Sequence, residues 1–274
     1  MILGAYTVPS WVNRSQGDRL TQRRCDLRTV AAAGLNLLHC GYLEDAGAAR
    51  SLLDLAGDLG VSIIFEGVLG RDLALVANHP ALLAVNVSDD ANLKKPADVQ
   101  TACNLAGSVP RYLSMFPAWN DPRPALYGPA EIVGAQSYVF GGTETLGSAY
   151  VVWKAAREQA DRAGVRVFAN SQLHSIGGPL PTAEQVRAQT WLAAVCGLDG
   201  VLAYTLAQGE TRVDPAIWAA YTAACAEVRS FASGRPVINL APDGVRLVAR
   251  WPGGIELVLD LAKSRVVKLQ RRTP

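Results

Sequence analysis

The chain has 274 residues, half of them hydrophobic, which is enough for one large domain and too few for two. Its 26 basic and 24 acidic side chains are scattered, and the net charge of +2 leaves no nucleic-acid footprint and no basic patch for an anionic membrane. No apolar run approaches the length of a membrane span, and Met1-Ile2-Leu3-Gly4-Ala5-Tyr6 lacks a basic leader region, so no signal peptide is expected and a cytoplasmic setting is the default.

In chain order, short strand-like runs alternate with helix-like runs. Ile2 to Val8 reads as the first strand, ending at Pro9-Ser10-Trp11, and Asp18 to Ala33 as its helix, closed by Gly34. Leu35 to Gly41 is the second strand; the helix from Asp45 to Leu59 follows and Gly60 ends it. Val61 to Gly67 is the third strand, with a short helix from Asp72 to Asn78 stopped by Pro80. The fourth strand starts at Leu82 and runs into Asp89-Asp90-Ala91-Asn92; Pro96 then opens a helix to about Gly107.

The fifth strand is Arg111 to Phe116. The Pro-rich stretch Pro117 to Pro124, which carries Trp119 and Asp121, reads as a long functional loop or a broken helix. The sixth strand is Ile132 to Phe140, with a helix from about Leu146 to Ala163. The seventh is Val165 to Gln172, and Thr182 with Gln185 three residues on forms a capping-box pattern for the next helix. Gly200 to Leu206 is the eighth strand, and the last helix runs from about Asp214 to Ala232.

Eight strand–helix units in about 233 residues match an eightfold α/β barrel, because alternation demands parallel pairing and right-handed crossovers. A doubly wound open sheet is the structural alternative, but no Gly-rich phosphate fingerprint follows the first strand. Residues 1–233 are therefore expected to form a (β/α)8 TIM barrel. Residues 234–274 are expected to form a small C-terminal antiparallel β-sheet with a hairpin at Pro252-Gly253-Gly254. A module that small is not stable alone and should pack on the barrel. The five cysteines are widely spaced, form no CxxC pair and read as reduced core thiols.

In such a barrel the C-terminal strand ends hold the site. Side chains alternate along a strand, so the inward residues can be read from the pattern. Val85 and Val87 should face the helices, leaving Asn86, Ser88 and Asp90 inside. The same parity puts Ser62, Ile64 and Glu66 inward on the third strand, with Tyr6 and His39 on the first two. It adds Gln136 and Tyr138 on the sixth, Asn170 and Gln172 on the seventh, and Tyr204 on the eighth. Trp11, Trp119 and Glu210 sit in the loops around this mouth. Amides and carboxylates hydrogen-bond sugar hydroxyls, and aromatic rings cover the apolar faces of a pyranose. Asp90, Glu66, Tyr138, Gln172 and Tyr204 are expected to line one pocket.

Each of these groups also has a plainer reading. Asp89-Asp90-Ala91-Asn92 is equally a solvated turn; Glu66 a structural acceptor; the tyrosines barrel filling; Asn170 and Gln172 a buried network. His39, His79 and His174 have no metal-ligand spacing, no serine sits in a GxSxG turn, and no cofactor motif is present.

The run His79-Pro80-Ala81-Leu82-Leu83-Ala84-Val85-Asn86-Val87-Ser88-Asp89-Asp90-Ala91-Asn92 resembles the fourth-strand motif of TIM-barrel glycoside hydrolases. Val133-Gly134-Ala135-Gln136-Ser137-Tyr138 is similar to their sixth strand, and Pro181 to Tyr204 to their seventh helix and eighth strand. The resemblance implies a carbohydrate substrate and makes Asp90 the acid/base carboxylate, with Asp89 beside it as a positioning group. There are two departures. The usual acid/base is Glu, and the strand-seven position that often carries a nucleophilic Glu is Gln172 here. The second carboxylate that a glycosidase needs is then Glu66, Asp121, Glu144 or Glu210, with Glu66 the leading choice. The functional expectation is a glycoside hydrolase without a cofactor. The alternatives are a non-catalytic carbohydrate-binding barrel and a barrel lyase or isomerase; the oligomeric state is open.

Overall fold

The computed structural model describes residues 1–8, 16–41, 45–67, 71–116, 127–141, 144–175, 178–208 and 211–271. Trp11, Trp119, Asp121 and Glu210 lie outside the described residues.

Eight parallel strands close into a barrel. They are β1 (Ile2–Val8), β2 (Leu37–Gly41), β3 (Ser62–Glu66), β4 (Leu82–Ser88), β5 (Arg111–Met115), β6 (Ile132–Gln136), β7 (Arg166–Gln172) and β8 (Gly200–Gln208). Each pairs with the next, and β8 pairs back onto β1, with Ile2 opposite Gly200 and Ala5 opposite Ala203. The open-sheet alternative is thereby excluded. A two-residue strand, β9 (Thr211–Arg212), turns back antiparallel onto β8.

The helices are α1 (Gln16–Ala32), α2 (Ala46–Asp58), α3 (Arg71–Ala74), α4 (Pro96–Leu105), α5 (Leu146–Ala163), α6 (Ala183–Val195) and α7 (Pro215–Phe231). Local chemistry sets their ends. Asp45 caps α2 by accepting from the Ala48 amide at 2.9 Å. Thr182 and Gln185 form the expected capping box of α6. Gly164 closes α5 at φ 68°, a left-handed position that costs glycine least.

The barrel has two apolar layers. Inside, one residue from each strand contributes to a single cluster: Tyr6, Leu37, Ile64, Ala84, Tyr112, Ile132, Phe168 and Leu202. Outside, Val85, Val87, Val133, Val167 and Val201 pack with helix residues such as Leu52, Trp153 and Trp191. The inward parity read from strands two, three and four is therefore the observed one. Burying these two layers supplies the main driving force for folding, at about 25 cal/mol per Å² of apolar surface.

One strand ends earlier than its pattern. β6 stops at Gln136 rather than Phe140. Its last ladder-type bond runs from the Ser137 amide to the Asn170 carbonyl at 3.1 Å. Beyond it the side chain of Gln172 takes over: Oε1 accepts from the Phe140 amide at 2.9 Å and Nε2 donates to the Phe140 carbonyl at 2.8 Å. A side-chain amide thus replaces the missing strand partner for a buried piece of backbone.

The C-terminal residues form a four-stranded antiparallel sheet in sequential order, β10 (Val237–Leu240), β11 (Arg246–Arg250), β12 (Ile255–Asp260) and β13 (Arg265–Arg271). Its inner face joins the outer core of the barrel through Leu247, Ala249, Trp251, Leu257 and Leu259. Trp251 meets Trp191 of α6 edge to face, ring centres 5.8 Å apart. All five cysteines are free, and four of them are buried.

Candidate functional site

A cavity of about 440 Å³ opens at the C-terminal end of the barrel strands, within the range of small-molecule sites. Its carboxylates are Asp89 and Asp90, which follow β4. Its rings are Tyr6 from β1, Tyr204 from β8, and Phe116 and Tyr138 from the segments after β5 and β6. Ser114, Gln136 and Asn170 supply polar groups from β5, β6 and β7, and His174 and Ser175 close the rim. A second cavity of about 480 Å³, with Leu173, Leu180, Thr205 and Val213 in its walls, shares His174 and Ser175 with the first.

Asp90 stands in the left-handed region, φ 46° and ψ 46°. Asp tolerates this conformation better than most residues, yet it is a strained position, and such strain concentrates at functional sites. It comes immediately before a 3-10 turn, Ala91–Leu93. The turn reading and the site reading of this stretch therefore both hold: β4 has ended at Ser88, strand alternation no longer applies, and both carboxylates reach the cavity.

Gln136 holds the pair. Its Nε2 donates to Asp90 Oδ1 at 2.7 Å and lies 3.4 Å from Asp89 Oδ1, and it also bonds the Ser114 hydroxyl. Burial raises the Asp90 carboxyl above its ordinary range, and the charge of Asp89 raises it further; the Gln136 bond and Lys94 pull the other way. Asn92, the last residue of the motif, is structural. Its amide brackets Phe116, accepting from the backbone N–H at 2.8 Å and donating to the carbonyl at 3.0 Å.

Glu66 is not among the described residues that line the cavity. It connects to it through Tyr6, whose hydroxyl donates to Glu66 Oε2 in a short bond. Burial raises the Glu66 carboxyl, and Asp89 adds to this; the Tyr6 bond, Lys94 and Arg23 offset part of it. Burial, followed by the neighbouring Glu66 charge, pushes the Tyr6 phenol well up. Tyr6 stacks on His39 with ring centres 3.9 Å apart and 16° between planes. His39 is fully buried, and neither ring nitrogen has a hydrogen-bond partner among the described residues. Burial and the charge of Arg23 bring it down to about 3, so the imidazole is a neutral platform.

The expected single pocket thus needs correcting in two places. Asp90, Tyr138 and Tyr204 line it together, whereas Glu66 and Gln172 do not. Gln172 is fully buried and its amide is committed to the backbone of Phe140 and to the His174 carbonyl. Asn170 reaches the cavity and accepts from the Tyr112 hydroxyl at 3.0 Å. Gly134 allows that crossing: a Cβ there would stand 1.9 Å from the Tyr112 oxygen. Glu144 is exposed and lies outside the cavity lining.

Four lining residues escaped the sequence reading: Ser114, Phe116, His174 and Ser175. For the first two the signal was present, because Tyr112, Ser114 and Phe116 alternate on the fifth strand as the inward residues do elsewhere. Among the described residues, no group of three or more His, Cys, Asp or Glu could hold a metal ion. No helix among them is long and apolar enough to cross a membrane.

No sequence profile of a known family matches the chain, and no curated protein matches it by sequence. Solved structures do match by fold. Saccharomyces cerevisiae Gas2p in complex with laminaritriose and laminaritetraose aligns with a TM-score of 0.58 at 14% identity, over 85% of this chain and 64% of that one. A Gas2p mutant bound to laminaritetraose and laminaripentaose gives a TM-score of 0.58 at 16% identity, again over 85% and 64%. A putative alpha-L-fucosidase from Bacteroides thetaiotaomicron gives 0.56 at 10% identity, over 83% of this chain and 92% of that one. The chain spans less than two thirds of the Gas2p chain.

Proposed function

We propose that this TIM barrel, whose fold matches those of glycoside-hydrolase-like structures, is a carbohydrate-active hydrolase that cleaves a glycosidic bond in an oligo- or polysaccharide at the β-strand mouth. The observation that carries this reading is the Asp89–Asp90 pair facing a cavity walled by tyrosines and amides. Fold likeness adds weight at the level of class alone, because identity of 10–16% transfers no activity.

In this reading Asp90 protonates the leaving oxygen. Its burial and the adjacent Asp89 hold the proton on it more tightly than on an ordinary aspartate. Asp89 positions and tunes it. Glu66 is the candidate second carboxylate and reaches the site through the Tyr6 hydroxyl, which donates to it. The two adjoining cavities, divided by His174 and Ser175, suit a substrate longer than one ring.

The test is hydrolysis of a broad glycan panel by the wild type and by Asp90→Asn. The expected outcome is release of reducing ends by the wild type and a loss of about 10²–10⁴-fold in turnover for the variant, with binding nearly intact. A second reading, a carbohydrate-binding barrel without turnover, is favoured by Gln172, which stands where related hydrolases often keep a nucleophilic Glu and whose amide is fully engaged. Glycan binding without reducing ends across the panel selects it.

A further inference from the structure

We propose that Tyr6, rather than a carboxylate, attacks the anomeric carbon, with Glu66 as the base that takes its proton. This inference rests on the hydrolase reading above and names the second catalytic group of the same site.

Among the described residues, the only carboxylates that line the cavity are Asp89 and Asp90. They are neighbours on one wall, both within 3.4 Å of the same Gln136 nitrogen. Glycoside cleavage needs groups on both sides of the bond, so one more must come from elsewhere on the rim. Gln172 does not supply it, since both ends of its amide are spent on backbone. Tyr6 stands on β1, three steps round the closed ring from β4. It lines the cavity, and its oxygen is already paired with Glu66 Oε2.

The surroundings suit an oriented nucleophile. The neutral His39 ring beneath Tyr6 fixes the plane of the phenol, and Tyr204 flanks it with ring centres 5.2 Å apart. Glu66 sits behind Tyr6, where it meets the phenol and not the sugar. A phenol is a weak nucleophile at its own pKa and gains strength from an adjacent base. A tyrosine nucleophile is a known exception among glycosidases.

The steps balance. As the Tyr6 oxygen bonds to the anomeric carbon, its proton passes to Glu66, the glycosidic C–O bond breaks, and Asp90 gives its proton to the leaving oxygen. The result is an aryl glycoside on Tyr6. In the second half water attacks the same carbon, its proton goes to the Asp90 carboxylate, the Tyr6 C–O bond breaks, and the proton on Glu66 returns to the phenolate. Two displacements at one carbon retain the anomeric configuration.

The experiment uses the full chain with a panel of p-nitrophenyl glycosides and the matching 2,4-dinitrophenyl 2-deoxy-2-fluoroglycosides. The fluorine slows breakdown of the adduct, so peptide mass spectrometry can locate it. The expected result is one fluoroglycosyl group on the peptide containing Tyr6, with retained configuration in the products of the ordinary substrates. Tyr6→Phe and Glu66→Gln should both lose the adduct and at least about 10²-fold in turnover. The phenylalanine ring keeps the stack on His39, and melting curves check that both variants fold. If they do not, the site of the wild-type adduct decides. An adduct on any other residue, inverted product, or near-wild-type turnover by Tyr6→Phe overturns the proposal while the hydrolase reading stands. No release of nitrophenol or dinitrophenol by the wild type across the panel overturns both.

Discussion

Among the described aspartates, Asp90 is set apart by two neighbours, Asp89 and Gln136, and by its own left-handed backbone. A general acid has to hold its proton at the working pH, and burial together with the Asp89 charge moves Asp90 that way. The sign of the effect gives a test. Asp89→Asn removes the second of the two causes and leaves burial in place, so the carboxyl of Asp90 becomes more acidic. It is then protonated over a narrower range, and the alkaline limb of kcat/KM should move to lower pH. A pH–rate profile of this variant against the wild type checks it; a limb that stays put or moves up removes Asp89 from the tuning role.

At the scale of elements, two amides act as substitute strand partners around the mouth. Asn92 brackets Phe116 beyond β5, and Gln172 brackets Phe140 beyond β6. The Gln172 bracket lets β6 stop early, so that Tyr138 beyond it can line the cavity. Gln172 is therefore a structural amide and no latent nucleophile. Gln172→Glu would set a buried negative charge against the carbonyl oxygens of Phe140 and His174. Leaving a buried group unsatisfied costs about 1–3 kcal/mol, and more when it is charged. The variant should be destabilised by at least that amount in urea unfolding and show no gain in turnover. An active, equally stable variant would contradict the bracketing role.

On the scale of the whole molecule, the C-terminal sheet and the barrel share one apolar core. Trp251, 3% exposed, packs on the fully buried Trp191 and donates from its indole nitrogen to the Gly234 carbonyl at 3.1 Å. Ser264 accepts from the Leu146 amide at the start of α5, at 3.1 Å. Unfolding the sheet alone would expose the Trp191 face of α6. Trp251→Ala is therefore expected to cost about 3–5 kcal/mol, and calorimetry should still show one transition for sheet and barrel together. Two separated transitions would mean that the sheet is an independent unit.

What the sequence determined by itself is the set of features that local periodicity writes. Eight alternating units implied the closed parallel barrel, strand parity put His39, Ile64 and Asn86 inside, and Thr182 with Gln185 announced a helix start. Each depends on residues a few positions apart, whose relative directions the backbone alone dictates. Tyr6 and Tyr204 follow from the same parity, whereas Asp89 and Asp90 stand beyond the end of β4, where alternation no longer places them. What only the tertiary structure decided is how those groups are partnered. The Tyr6 hydroxyl meets a carboxylate on β3, Gln136 on β6 binds Asp90 beyond the end of β4, and Gln172 turns to a backbone segment after β6. Composition shows that such groups exist. Which of them keeps an open lone pair for a substrate follows from which other side chain claims it first, and that depends on strands brought together from far along the chain.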